Sequence, residues 1–141
     1  MSDTATTAAP KAASATIGKF AAVGIGVADM DRSVKFYTEV MGMKQLQVFD
    51  LPHMKEVIVG YKGDIAIALM HFIDGSNPNY ANNPVKLVFN VEDPKGIAAK
   101  IRAAGLEITR EPEPLPEFGN MIVGLGKDPD GYVIELLKQP S

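Results

Sequence analysis

With 141 residues, 46 % of them hydrophobic, and a net charge of −3, the chain has enough apolar material for one domain or for two small related modules sharing a core. It has no cysteine, which removes disulfides, thiol catalysis and thiolate metal sites, and no basic cluster that would suit nucleic acid. No apolar run approaches the roughly 20 residues of a membrane span.

Residues 1–17 are rich in Ala, Thr and Ser, include a Pro, and lack the basic-then-apolar order of a secretory signal. They read as a disordered tail on a cytoplasmic protein, with a leader of another kind as the alternative. From Lys19 onward, ordered elements are predicted. Phe20 to Val27 alternates Val23, Ile25 and Val27 with Ala22, Gly24 and Gly26, a strand with almost no bulk on one face. Asp29 suits a helix N-cap, Val34, Tyr37, Val40 and Met41 an apolar helical stripe, and Gly42 the stop. Strands follow at Lys44 to Phe49, Glu56 to Tyr61 and Ile65 to Phe72, with Asp50-Leu51-Pro52-His53 as a loop and Lys62-Gly63-Asp64 as a turn. Asp74 to Pro84 is a polar, Pro- and Gly-containing linker.

The order then repeats. Val85 to Val91 is a strand, Asp93 a cap with Pro94 at the first helical position, and Ile97, Ala98, Ile101 and Ala104 a stripe ended by Gly105. Leu106 to Arg110 is a strand, Glu111 to Glu117 a proline- and glutamate-rich loop, and Asn120 to Leu125 another strand. Val27-x-Asp29 with Gly42-Met43 echoes Val91-x-Asp93 with Gly105-Leu106. The fold class is therefore α+β, built from two tandem βαβββ modules. The division is a tail at residues 1–17, a first module over 18–73, a linker over 74–84, a second module over 85–138 and a tail over 139–141.

The last hairpin poses the chemical question. Asp128-Pro129-Asp130-Gly131 is turn chemistry, and the strand behind it places Tyr132, Ile134 and Leu136 on one face and Val133, Glu135 and Leu137 on the other. Neither face is polar, so the strand is interior and Glu135 is a carboxylate among apolar neighbours. Such a group needs a cation, a metal or a donor beside it.

Asp29-Met30-Asp31-Arg32-Ser33-Val34-Lys35-Phe36-Tyr37 followed by Gly42-Met43, and Asp128-Pro129-Asp130-Gly131-Tyr132-x-Ile134-Glu135-Leu136, resemble the first helix and last hairpin of the glyoxalase / vicinal oxygen chelate superfamily. Lys100-Ile101-Arg102 and Thr109-Arg110-Glu111 add similarity to its bacterial glyoxalase I branch. The resemblance covers Lys19 to Lys138. It implies curved sheets around a cleft, commonly completed by homodimerisation, and four metal ligands at equivalent strand positions. Carried over one at a time, those positions fall on Ala22, Ala68, Lys86 and Glu135, so only the last ligand is kept. The positions that hold glutathione in relatives fall on Gly26 and Phe72. Ala offers no lone pair and a Lys ammonium repels a cation, so no metal and no other cofactor is expected.

If the strands register as in the family, Lys86 faces Glu135 where the metal would be. The expectation is a charge pair in which Lys86 polarises a substrate oxygen and Glu135 is the general base. The competing account is a buried ion pair that only fixes register. Ala22, Gly24, Ala66, Ala68 and Met70 share the inward phase and would line a small apolar cavity, with Tyr80 and Phe118 as flanking substrate contacts. The alternative is collapse of neighbours such as Phe72, Phe118 or Met121 into that space. His53, in its loop, is a candidate catalytic helper, whereas His71 is out of phase with Ala68 and should face away. The leading function is a metal-independent lyase or isomerase on a small oxygenated or aromatic metabolite. The rivals are a small-molecule binding or sequestering protein, and a metal-dependent lactoylglutathione lyase with a rearranged site. Expected partners are the small-molecule ligand and a second copy of the chain, not nucleic acid or membrane.

Overall fold

The computed structural model describes residues 18–140, so the expected tail over residues 1–17 and the final Ser141 lie outside the described residues. Two four-stranded mixed sheets are present, one per module. The first holds β1 (Ala22–Gly26), β2 (Lys44–Asp50), β3 (Met54–Gly60) and β4 (Ala66–Phe72) in the order β1-β4-β3-β2. The second holds β5 (Lys86–Asn90), β6 (Ile108–Leu115), β7 (Met121–Lys127) and β8 (Val133–Lys138) in the order β5-β8-β7-β6. In each sheet the first and last strands of the module pair in parallel and the remaining contacts are antiparallel. A parallel pair needs a long crossover, which the helix and the two other strands of each module supply.

Both helices start where local chemistry dictates. The Asp29 carboxylate accepts the Arg32 N–H at the start of α1 (Met30–Lys35), and the Asp93 carboxylate accepts the Gly96 N–H at the start of α2 (Pro94–Ala103). Beyond Lys35 the first helix loosens into a π turn over Phe36–Val40, which pattern reasoning did not anticipate. Gly42 and Gly105 end the two helices with φ of 74° and 81°, a region that penalises a Cβ.

One apolar core joins the modules. The helix-facing sides of the sheets contribute Ile25, Val59, Leu69, Phe89, Ile134 and Leu136, and the helices contribute Phe36, Tyr37, Ala98 and Ile101. As expected of an interior strand, β8 lies between β5 and β7.

The proline-rich stretch after Arg110 is a correction. It was expected as a loop, yet β6 runs through it to Leu115. Strand β6 is at the sheet edge, and its register shifts between Ile108 and Arg110 and again before Glu113, where proline's missing N–H breaks no required ladder bond. Pro112 is fully buried and packs on Gly124.

Candidate functional site

The parallel pairing of β5 with β8 sets Lys86 opposite Val133 and Val88 opposite Glu135. Lys86 and Glu135 are thus on one face, diagonal neighbours on adjacent strands, and a lysine stem spans that diagonal. The Lys86 ammonium Nζ is 2.8 Å from Glu135 Oε1, and the two side chains are 55 % and 16 % exposed. Val88 and Leu125 flank the carboxylate on the neighbouring strands. The acid is therefore mostly covered while the amine opens outward.

Lys86 also lines a groove of about 590 Å³ that crosses from one module to the other. Its walls are mainly apolar, from Phe20, Val23, Ile65 and Ile67 in the first module and Val88 and Phe89 in the second. Tyr61 meets Phe89 edge to face at 6.4 Å across this boundary. Phe20, Val23, Ile65, Ile67, Val88 and Phe89 were not singled out from the sequence as site residues, because they come from different modules and no local pattern links them.

The space expected around Ala22, Gly24, Ala66, Ala68 and Met70 is partly filled. Ala66 and Ala68 are each only 6 % exposed. Met70 lays its thioether over Gly24, so that a Cβ there would stand 3.1 Å from Met70 Cε. Tyr80 presses on Gly26 in the same way at 3.0 Å, and Leu46 reaches over Gly60 beside Ala66. Small residues made room, and larger neighbours of the same module fill part of it, while Gly24 stays exposed. The Tyr80 hydroxyl accepts the Phe72 N–H at 3.0 Å, so this tyrosine is a packed strap rather than an open contact.

Phe118 is 60 % exposed on a single 3₁₀ turn, and the structure does not bring it to the pair. His53 is exposed, and its carbonyl accepts the Ile73 N–H beyond the far end of β4. Ile65, which shares the groove with Lys86, precedes the near end, so roughly 25 Å of strand separates them. Within the chain, His53 is not placed with Lys86 and Glu135. His71 directs Nδ1 to the Val27 carbonyl at 2.9 Å and stacks on Tyr80.

The four positions onto which the family resemblance carries the metal ligands do not fit a divalent metal. Two carry methyl groups, and the third puts an ammonium on the only carboxylate of the set. Among the described residues no group of three His, Cys, Asp or Glu side chains is arranged to hold an ion.

The hairpin turn does more than reverse the chain. Asp130 accepts the Ala28 N–H at 3.0 Å and the Ser33 hydroxyl, and pairs with Arg32 at 3.2 Å. The buried Asp128 carboxylate accepts the Tyr37 hydroxyl at 2.6 Å and the N–H groups of Asp130 and Tyr132. Tyr132 donates its hydroxyl to the Gly26 carbonyl at 2.6 Å. Burial raises the Asp128 carboxyl above its ordinary value of 3.8 against those donors. Burial and the adjoining Asp128 push the Tyr37 hydroxyl well above its ordinary 10.0. These residues clamp the second module onto the first helix, a role that turn propensity alone could not reveal.

Comparison with known proteins agrees with this architecture. Residues 19–136 match the model of the Glyoxalase/Bleomycin resistance protein/Dioxygenase superfamily. The chain is 31 % identical over 126 residues to a lactoylglutathione lyase of Arabidopsis thaliana, covering 86 % of this chain but 44 % of that one. It is 33 % identical over 122 residues to a probable lactoylglutathione lyase of Synechocystis, covering 83 % of this chain and 92 % of the relative. It thus spans less than half of the plant relative and nearly all of the cyanobacterial one. Among solved structures, the trypanothione-dependent glyoxalase I of Leishmania major superposes with a TM-score of 0.72 at 31 % identity, over 86 % of this chain and 87 % of that one. Glyoxalase I from Zea mays gives 0.71 at 28 % identity, over 87 % and 45 %. The matched length and the paired βαβββ modules make this chain a member of the glyoxalase/bleomycin resistance protein/dioxygenase superfamily.

Proposed function

We propose that the chain is a metal-independent lyase or isomerase acting on a small oxygenated or aromatic metabolite at the Lys86–Glu135 pair. The observation that carries this reading is the unequal exposure of the pair at 2.8 Å. A mostly covered carboxylate is held in a fixed position from which it can take a proton, and an outward ammonium can meet a substrate oxygen. A carbonyl compound lying along the groove would place its oxygen on Lys86. Glu135 then takes a proton from the adjacent carbon, the electron pair moves onto the oxygen, and the Lys86 N–H groups stabilise that charge. Return of the proton to a neighbouring carbon gives an isomer, and loss of a β-substituent gives a lyase product. Lactoylglutathione lyase names the relatives and not this chain.

A second reading is a binding or sequestering protein, favoured by the mutual satisfaction of the pair at rest and the mainly apolar groove. A homodimer suits both readings, since Leu46, Val48 and Phe49 leave an apolar stretch of β2 exposed. The experiment is incubation with a panel of α-hydroxy and α-oxo carbonyl compounds in D₂O, followed by NMR. Wild type is expected to wash deuterium into one of them, and Lys86→Ala and Glu135→Gln to slow this by about 10²- to 10⁴-fold. Ligand-dependent thermal stabilisation without exchange would instead assign the sequestering role.

A further inference from the structure

A second groove, of about 570 Å³, lies between the first helix and α2, with Pro129 of the β7–β8 turn in its wall. Its size is that of a small-molecule site. The floor is apolar, formed by Phe36 and Val40 from the π turn and by Ala104 and Leu106 after α2. The charged lining is Arg32, Lys35 and Lys100 against Glu39. Arg32 is already engaged by Asp130 at 3.2 Å. Among the described residues, Lys35 and Lys100 are paired with no carboxylate. Two ammonium groups facing one carboxylate leave one uncompensated positive charge beside an apolar floor.

We propose that this groove is a binding site for small amphipathic monocarboxylates of the medium-chain or arylalkyl acid class, separate from the Lys86–Glu135 site. The carboxylate is held by Lys35 and Lys100, and the hydrocarbon lies on Phe36, Val40 and Leu106. A single surplus charge matches a monoanion, and the apolar floor requires a hydrocarbon body that inorganic anions lack. Because the walls come from both modules, an occupant also reinforces the docking of the first helix against the second module.

The test is titration of the full chain with octanoate, followed by calorimetry and by amide chemical shifts at low salt. Binding is expected below about 1 mM, with shifts centred on Val40, Ala104 and Leu106, and retained in Lys86→Ala. The double variant Lys35→Ala/Lys100→Ala, at exposed positions, is expected to weaken octanoate about fivefold or more, and methyl octanoate to bind wild type correspondingly less well. The proposal is overturned by no binding at that concentration, by equal affinity for the double variant or the ester, or by shifts confined elsewhere. It is likewise overturned if the double variant changes the sedimentation mass, which would give the groove to a second copy. Affinity that appears only when residues 1–17 are deleted would give it to that segment and overturn the proposal too.

Discussion

The Tyr37 hydroxyl donates to Asp128 Oδ2 at 2.6 Å, joining the first helix to the last hairpin across 91 residues of sequence. Both groups are buried, so neither has water as a substitute partner. Tyr37→Phe keeps the ring in the core but leaves one lone pair of a buried carboxylate without its donor. It is expected to lower stability by about 1–3 kcal/mol, read as a shift of the urea midpoint at unchanged slope. A change within error would show that the clamp is dispensable.

Asp128 also predicts a pH dependence. Its native pKa is raised, with burial as the largest cause, so the folded state binds a proton more readily than the unfolded chain. Stability from this group is therefore present below the ordinary 3.8, falls as pH rises toward the raised native value, and is absent above it. Tyr37, Asp130 and Tyr132 are the titratable groups that face it. In Asp128→Asn, Oδ1 can still accept the Asp130 and Tyr132 N–H groups while the amide cannot titrate. Subtracting its denaturation free energies from those of wild type should give a difference that moves in favour of wild type as pH drops from 7 toward 4. A flat difference would contradict the assignment.

What the sequence disclosed was governed by local chemistry. Asp29 and Asp93 were legible as caps because a cap bonds three residues on, whereas the meeting of Lys86 and Glu135 was implied by the family resemblance, and the β5–β8 register places them on one face. The misreadings all involve distant partners. Pro112 and Pro114 looked like loop residues because nothing nearby shows that β6 is an edge strand with two register shifts. Ala66 and Ala68 suggested a cavity because the covering of Gly24 and Gly26 by Met70 and Tyr80 depends on side-chain placement. Asp130 reads as a turn residue until its contact with the Ala28 N–H, 102 residues away, is in view.

The Pro112–Gly124 contact is one of those distant relationships, and it sets a steric test. A Cβ at Gly124 would stand 2.7 Å from Pro112 Cγ and 3.3 Å from its Cα. The proline ring is rigid and buried, so it cannot swing away as a flexible side chain would. Gly124→Ala is expected to cost about 1–3 kcal/mol by overpacking, despite alanine's lower backbone entropy in a strand. Pro112→Ala in the same chain should recover part of that loss, and a failure to recover any would place the strain elsewhere.

Exchanging the two charges separates chemistry from packing at the proposed site. In the double variant Lys86→Glu/Glu135→Lys the attraction is kept, and one of the two positions is largely open to solvent, so stability should stay within about 1 kcal/mol of wild type. Each single variant leaves like charges or an unpaired group and should be the less stable protein. If the pair only fixes strand register, ligand binding and any turnover survive the exchange along with the fold. If Glu135 is the base and Lys86 the oxygen contact, the exchange puts an acceptor-only group where the substrate oxygen must be held and a donor where the proton must be taken. Deuterium incorporation should then fall to the level of Glu135→Gln while the thermal transition is preserved, because function depends on which strand carries which sign whereas the fold depends only on their being opposite.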